Sequence, residues 1–168
     1  MSSVNVLYVY DRARTTSFTL VARKHIEYMR KLGTVNVREV SIYAFPMFKP
    51  DGRYVAVIHP FVYVWSAIRN EMGDVADINE VRKRYEKIVG VYVCDTDRMS
   101  SESVNELNEA DLLVVPSAFC VDVFKRSGVK KPVYRVPHGV DEQWYTTQNV
   151  WSMNGVRGLS FSLIQLYQ

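Results

Sequence analysis

Between Ile88 and Asp141 the chain reads IVGVYVCDTDRMSSESVNELNEADLLVVPSAFCVDVFKRSGVKKPVYRVPHGVD. Three β-rich apolar runs, VGVYVC, ADLLVVP and PVYRVP, alternate with two segments of helical pattern. A β-α-β-α-β series has few ways to fold. Strands joined through helices pair in parallel, and the helices must lie on the faces of the sheet. The stretch predicts an α/β domain, Rossmann-like, with a mostly parallel doubly wound sheet of about six strands and helices on both faces.

The residues before it supply the other strands. Val4 to Tyr10 (VNVLYVY) is apolar nearly throughout, as a parallel strand covered on both faces is. After the loop DRARTTS comes a helix from about Phe18 to Leu32, with Phe18, Ala22, Ile26, Met29 and Leu32 at the spacing of one buried face. Thr16 or Ser17 suits its N-cap, and Gly33 its stop. The opposite face carries Arg23, Lys24, Glu27, Arg30 and Lys31, the pattern of a solvated surface. Val35 to Tyr43 reads as a second strand near an edge. Ala44 to Arg53, with Pro46, Pro50 and Asp51-Gly52, reads as a loop. Tyr54 to Pro60 is a third strand, and Phe61 to Met72 a short helix with Trp65 in it. A polar helix from Asp74 to Lys87 is expected next, started by Asp77 or Asn79.

Within the organising stretch, a strand from Val89 to Cys94 runs into Asp95-Thr96-Asp97-Arg98. Ser100 or Ser101 caps a short helix to about Glu109, and Ala110 to Pro116 is a strand. Ser117 caps a helix from Ala118 to Ser127, which Gly128 closes. Val133 to Val136 is the last strand. Pro137-His138-Gly139 is a turn in which glycine can take a positive φ.

The loop after the first strand is where a dinucleotide-binding enzyme places GxGxxG. It contains no glycine, and no GxxxxGK[ST] occurs, so neither the NAD/FAD nor the P-loop signature is present. The loop instead offers Arg12, Arg14, Thr15, Thr16 and Ser17 at a helix N-terminus, where an anion is favoured. His59 falls at the C-terminal end of a strand, the edge at which open α/β sheets bind ligands. Simple capping and a structural histidine are the plainer readings of both.

Composition narrows the classes further. With 168 residues, 48% of them apolar and 23% charged, the chain has the make-up of one soluble globular domain. The net charge of +3 is interspersed rather than clustered, which argues against nucleic acid as a partner. The longest low-charge run, Tyr54 to Ala67, is shorter than the about 20 residues of a membrane span. The N-terminus opens on a strand and lacks a signal-peptide layout, so a cytoplasmic protein is expected, with room for contact at a membrane surface. Cys94 and Cys120 sit in apolar context, as buried free thiols do, and no CxxC or Cys/His spacing suggests a metal. The expectation is no metal and no cofactor. From Thr146 to Gln168 the sole charged residue is Arg157, and the pattern fits a helix as well as a strand. Residues 1–145 are thus read as the domain. Residues 146–168 are read as a tail that packs on it or on a partner, with a homodimer as one outcome.

The segments Asp95 to Arg98, Leu107 to Asp111, Val115 to Ser117, Ser127 to Val129 and Pro137 to Asp141 together resemble the N-terminal, acceptor-side domain of GT-B glycosyltransferases. The resemblance is to the large retaining family that includes mannosyl- and glucosyltransferases. It covers Val91 to Tyr145 and is architectural before that. That family carries an acidic–x–Asp–Arg segment after a strand, then Leu-Asn-x-Ala-Asp, Val-Pro-Ser, Ser-Gly-Val and Pro-His-Gly-Val-Asp in this order. No one of these motifs is specific; their order and spacing are. The chain departs from the pattern at Ser100 and Ser103, where proline and tryptophan are common, and at Asp95, where glutamate is usual.

The resemblance implies an acceptor-binding half. Arg14, Thr15, Thr16, Ser17, His59, Asp95, Asp97 and Arg98 would face a cleft, and His138, Gly139 and Asp141 would form a hinge or turn. It implies a sugar or sugar-lipid acceptor. The sugar nucleotide would be held by a second, separate domain bearing paired glutamates and basic residues. The half would be inactive alone. A non-catalytic binding or assembly module derived from such an enzyme is the alternative.

Overall fold

A computed structural model describes residues 4–72 and 77–139. Its six strands are β1 (Val4–Tyr10), β2 (Val35–Ser41), β3 (Val55–Ile58), β4 (Lys87–Val91), β5 (Leu112–Val115) and β6 (Val133–Arg135). Its helices are α1 (Ser17–Lys31), α2 (Phe61–Glu71), α3 (Ile78–Lys83), α4 (Ser101–Leu107) and α5 (Ala118–Ser127), with a short 3-10 turn at Phe45–Met47. All strands pair in parallel, in the order β2-β1-β3-β4-β5-β6. The fold is therefore α/β with a single Rossmann-like sheet, as the organising stretch predicts.

The order explains where the helices lie. From β1 the chain steps one way to β2, and from β3 it steps the other way to β4, β5 and β6. Right-handed crossovers in opposite directions deliver helices to opposite faces. Ala22 and Ile26 of α1 pack with Val6, Tyr8 and Tyr10 on one face. On the other face Leu7, Val9, Ile58, Ile88, Leu113 and Val115 meet Phe61, Trp65 and Ile68 of α2, Val81 of α3, Leu107 of α4, and Val123 and Phe124 of α5. Alternation along β1 thus feeds both cores, and its last five residues are buried.

The caps fall on the expected residue types. Thr16, Asp77, Ser100 and Ser117 each accept a backbone N–H of the helix they precede. Gly128 closes α5 at φ 97°, in the left-handed region that costs other residues a Cβ clash. Ser117 Oγ accepts from Cys120 N at 3.1 Å. Ser117→Ala is expected to destabilise the domain by about 1 kcal/mol, read as a lower urea midpoint with an unchanged m-value.

Asp111, which ends the Leu-Asn-x-Ala-Asp segment, is a strut. One carboxylate oxygen accepts from Arg82 Nη2 at 3.0 Å and the other from the Ile88 amide at 2.7 Å. Arg82 Nη1 also donates to the Glu109 carbonyl. One side chain therefore ties α3, β4 and the entry to β5 together.

Three expectations are corrected. The polar helix expected to run to Lys87 ends at Lys83, and β4 begins at Lys87 rather than Val89. Tyr85 and Ile88 are buried, but as the approach to a strand and the strand itself. Leu32, placed on the buried face of α1, is 67% exposed: the helix ends at Lys31, and Leu32 borders an open groove beside α1.

Candidate functional site at the strand C-terminal edge

The loops after β1 and β3 diverge, since one strand is followed by a crossover to the left and the other by a crossover to the right. Such a switch point leaves a crevice at the C-terminal ends of the strands. Here the crevice is a cavity of about 330 Å³. Asp11, Arg14, Thr16 and Thr19 line it from the β1 loop and the start of α1; Phe18, His59, Pro60, Tyr63 and Tyr92 complete the wall.

The β1 loop is shaped by its own polar groups. Ala13 N donates to Asp11 Oδ1 at 3.0 Å, and Thr19 Oγ1 donates to the Asp11 carbonyl at 3.0 Å. Thr16 Oγ1 accepts from Thr19 N at 3.2 Å. Asp11 also holds the exposed Arg14 through a 3.6 Å ion pair. Arg14 thus stands at the cavity with its guanidinium mostly in solvent.

His59 forms the floor on the β3 side. It follows β3 directly, its amide donates to the Val9 carbonyl at 2.9 Å, and it is 3% exposed. Its Nδ1 is buried without a hydrogen-bond partner. The edge of Phe18 meets its ring at 5.6 Å, with the planes 84° apart. The chain's three histidines lie in file. His25 of α1 stacks on His59 at 6.0 Å, and His138 meets His25 at 6.0 Å. Tyr8 Oη and His25 Nδ1 share a 2.8 Å hydrogen bond. Burial, and then repulsion from His25 and His138, pushes His59 down to about 3. Burial also lowers His25 and His138. At neutral pH all three rings are uncharged.

A second recess of about 580 Å³ lies further along the same edge, lined by Cys94, Asp95, Ser117, Phe119, Arg135 and His138 among others. Cys94 and Cys120 are both buried and free. Cys120 Sγ lies 3.9 Å from the Cys94 carbonyl, and burial together with Cys120 pushes the Cys94 thiol up to about 12. Both thiols sit in the core, as small apolar side chains do.

The structure brings Arg14, Thr16 and His59 into the switch-point cavity, and Asp95 and His138 into the neighbouring recess. Thr15 and Ser17 are exposed, Ser17 as the first residue of α1. Asp97 and Arg98 are exposed on the loop before α4 and line neither space. That loop is held by Thr96 Oγ1 donating to the Arg98 carbonyl at 2.8 Å. Gly139 is exposed, and Asp141 and the tail from 146 to 168 lie outside the described residues. Sequence reasoning missed Asp11, Tyr63 and Tyr92. Their signal was position: Asp11 directly follows one strand, Tyr92 directly follows another, and Tyr63 lies in the first turn after His59. No group of three or more His, Cys, Asp or Glu side chains among the described residues could hold a metal ion. No helix among them is long and apolar enough to cross a membrane.

No family model matches the chain. The chain is similar to "Uncharacterized protein 356" of Sulfolobus islandicus rod-shaped virus 1, with 29% identity over 140 residues. The match covers 82% of this chain and 38% of that relative, so the chain spans well under half the length of the curated protein it matches.

Proposed function

We propose that this chain is the acceptor-side half of a GT-B sugar transferase of the retaining type. The observation that carries the reading is the switch-point cavity, which gathers Arg14, Thr16 and His59 at the strand ends. The glycosyltransferase-like motif series supports it, since Asp95 to Arg98, Val115 to Ser117 and Pro137 to Gly139 come at or after the C-terminal ends of β4, β5 and β6. In such an enzyme the acceptor half positions a hydroxyl for attack, and a second domain neutralises the departing nucleotide phosphates. His59 and Asp95 would orient acceptor hydroxyls, and Arg14 would meet an acceptor or donor phosphate. The acceptor would be a sugar or sugar-lipid reached from the cytoplasm, and the lipid would bring the chain to a membrane surface. A separate domain would hold the sugar nucleotide.

The test is a transfer assay with a panel of sugar nucleotides and saccharide acceptors, read by mass spectrometry, alongside acceptor binding by NMR. Acceptor binding without transfer by the 168 residues is expected. Robust transfer by the chain alone would sink the half-enzyme reading, and silence toward every acceptor would sink the sugar reading.

One observation favours a second reading, a non-catalytic module that pairs with its own copy. Tyr28, Met29, Leu32, Val57, Val89, Val114 and Val136 line an apolar groove of about 760 Å³ beside α1. Among the described helices only α1 packs on that face of the sheet. Light scattering at low concentration, with and without residues after Tyr145, decides it; a monomer in both forms counts against assembly.

A further inference from the structure

A second group of charges gathers where β1, α1 and the edge strand β2 meet. Arg12 stands two residues past the end of β1. Arg23, Glu27 and Arg30 recur at 3-to-4 spacing along one side of α1. Glu39 is carried by β2. A recess of about 530 Å³ lies among them, and it shares no lining residue with the switch-point cavity. Its charged lining is Arg12, Arg23, Arg30 and Lys31 against Glu27 and Glu39, so two positive charges are left over. Both carboxylates are already engaged. Glu39 Oε1 accepts from Arg30 at 2.8 Å, and Oε2 accepts from the Tyr10 hydroxyl at 2.7 Å. Glu27 Oε1 meets Lys31 at 2.8 Å, and Oε2 meets Lys24 at 3.3 Å. Among the described residues, no carboxylate forms an ion pair with Arg12 or Arg23. Both nonetheless act on the same centre. Burial and Glu39 raise the Tyr10 hydroxyl, and Arg23 and Arg12 pull it back. Burial would raise the Glu39 carboxylate, and Tyr10, Arg30 and Arg12 together lower it.

We propose that this recess binds the phosphate monoester group of a ligand, held by Arg12 and Arg23 between the end of β1 and α1. A guanidinium is a planar fork that takes two phosphate oxygens at once, so two forks suit a tetrahedral anion with three free oxygens. The two leftover charges match the nearly two negative charges that a phosphate monoester carries at neutral pH. Arg30 and Tyr10 hold Glu39, and the lysines hold Glu27, so neither acid needs Arg12 or Arg23 as its partner. An extended polyanion fits less well, because the chain's other charges are interspersed and a nucleic acid needs a continuous basic face. The volume is that of an ordinary small-ligand site and leaves room for the group that carries the phosphate. A soluble sugar phosphate and a phospholipid headgroup share this chemistry. The site does not depend on the acceptor-side reading. Arg12 and Arg23 are both exposed, so each can be replaced without opening the core.

The experiment is an NMR titration of the full chain at neutral pH and constant ionic strength, following the arginine side-chain N–H signals. Glucose 6-phosphate and acetate are the soluble probes. Sedimentation with phosphatidylcholine vesicles, with and without phosphatidic acid, is the lipid arm. Glucose 6-phosphate is expected to shift the Arg12 and Arg23 signals and to bind about tenfold more tightly than acetate. Arg12→Gln and Arg23→Gln are each expected to weaken it about tenfold at unchanged thermal midpoint. Arg53→Gln, which alters an exposed arginine paired with Glu86, is the control and should change nothing. Glu39→Gln, which removes a negative charge from the recess, is expected to tighten binding severalfold. Binding of glucose 6-phosphate that depends on Arg12 and Arg23 assigns a soluble ligand. The same dependence seen only on vesicles with phosphatidic acid assigns a lipid headgroup. An equal response to acetate, or an equal loss in Arg53→Gln, would overturn the phosphate site and leave plain surface charge. Absence of any binding that depends on Arg12 and Arg23 would overturn the recess itself.

Discussion

Gly90→Val is expected to give no folded protein, and Gly90→Ala a domain weaker by about 2 kcal/mol. Gly90 lies within β4, where alanine would otherwise be favoured over glycine by roughly 0.5–1 kcal/mol. The surroundings reverse that preference. A Cβ at this position would lie 2.7 Å from Leu113 Cδ2 and 2.8 Å from Phe61 Cγ. Neither neighbour can yield easily. Both are fully buried, and Phe61 is stacked on Trp65 at 5.3 Å. The extra methyl would have to push β4 off α2 or force Phe61 out of its rotamer. Gly52, whose Cβ would meet nothing within 4 Å, is the control, and Gly52→Ala should stay within about 0.5 kcal/mol. Urea denaturation of the two alanine variants checks the pair; equal midpoints would show that Gly90 is not a packing glycine.

Acidification from pH 7 to pH 5 is expected to remove about 2 kcal/mol of stability through His59 alone. The sign follows from the direction of the shift. An unfolded histidine titrates near 6.5, whereas burial holds folded His59 down to about 3. Between those values the unfolded chain binds a proton that the folded chain refuses. Stability is therefore full above pH 6.5 and falls as pH drops through the window toward 3. His25 and His138 are also lowered and add in the same direction. Glu106, raised by burial against the pull of Arg69, acts with the opposite sign nearer the carboxylate range, so the histidine effect is cleanest above pH 5. His59→Phe removes the largest contribution and a buried nitrogen without a partner. It should be more stable than the parent at pH 5 and should flatten the slope. Denaturant midpoints at pH 7, 6 and 5 read this out, and a variant with the parent's slope would refute the histidine origin.

Much of the fold could be read before the structure because each element carries its own punctuation. The α5 bounds, Ala118–Ser127, are those that Ser117 and Gly128 prescribe. The run Val4–Tyr10, apolar but for Asn5, reads as a strand covered on both sides, and its last five residues are buried. The boundary between α3 and β4 was not legible, because Val81, Tyr85 and Ile88 keep helical spacing across a point where the chain changes period. What ends the helix is tertiary. Glu86 N donates to the Tyr54 carbonyl and the Ile88 amide donates to Asp111, both partners distant in sequence. The site was half legible for a similar reason. His59 and the β1 loop follow from the rule that ligands meet strand ends. That Tyr63 and Tyr92 face the same cavity depends on which strands are neighbours, and the order β1-β3-β4 cannot be read from spacing.

The sheet order carries a consequence for how the molecule is made. After β3 has paired with β1, every later strand in sequence attaches to the edge its predecessor has just created. At about 5–20 residues per second, synthesis would present β4, β5 and β6 in turn, each to a waiting partner. The one pairing that must skip an element is β1 with β3, across β2. Until β3 emerges, β1 has one free side and the first helix covers half a core. The nascent chain is thus most exposed early, and growth thereafter proceeds outward from a finished seam. Among the described strands it stops at β6, three residues long with Arg135 at its end, a short and charged margin that offers little to a stray strand.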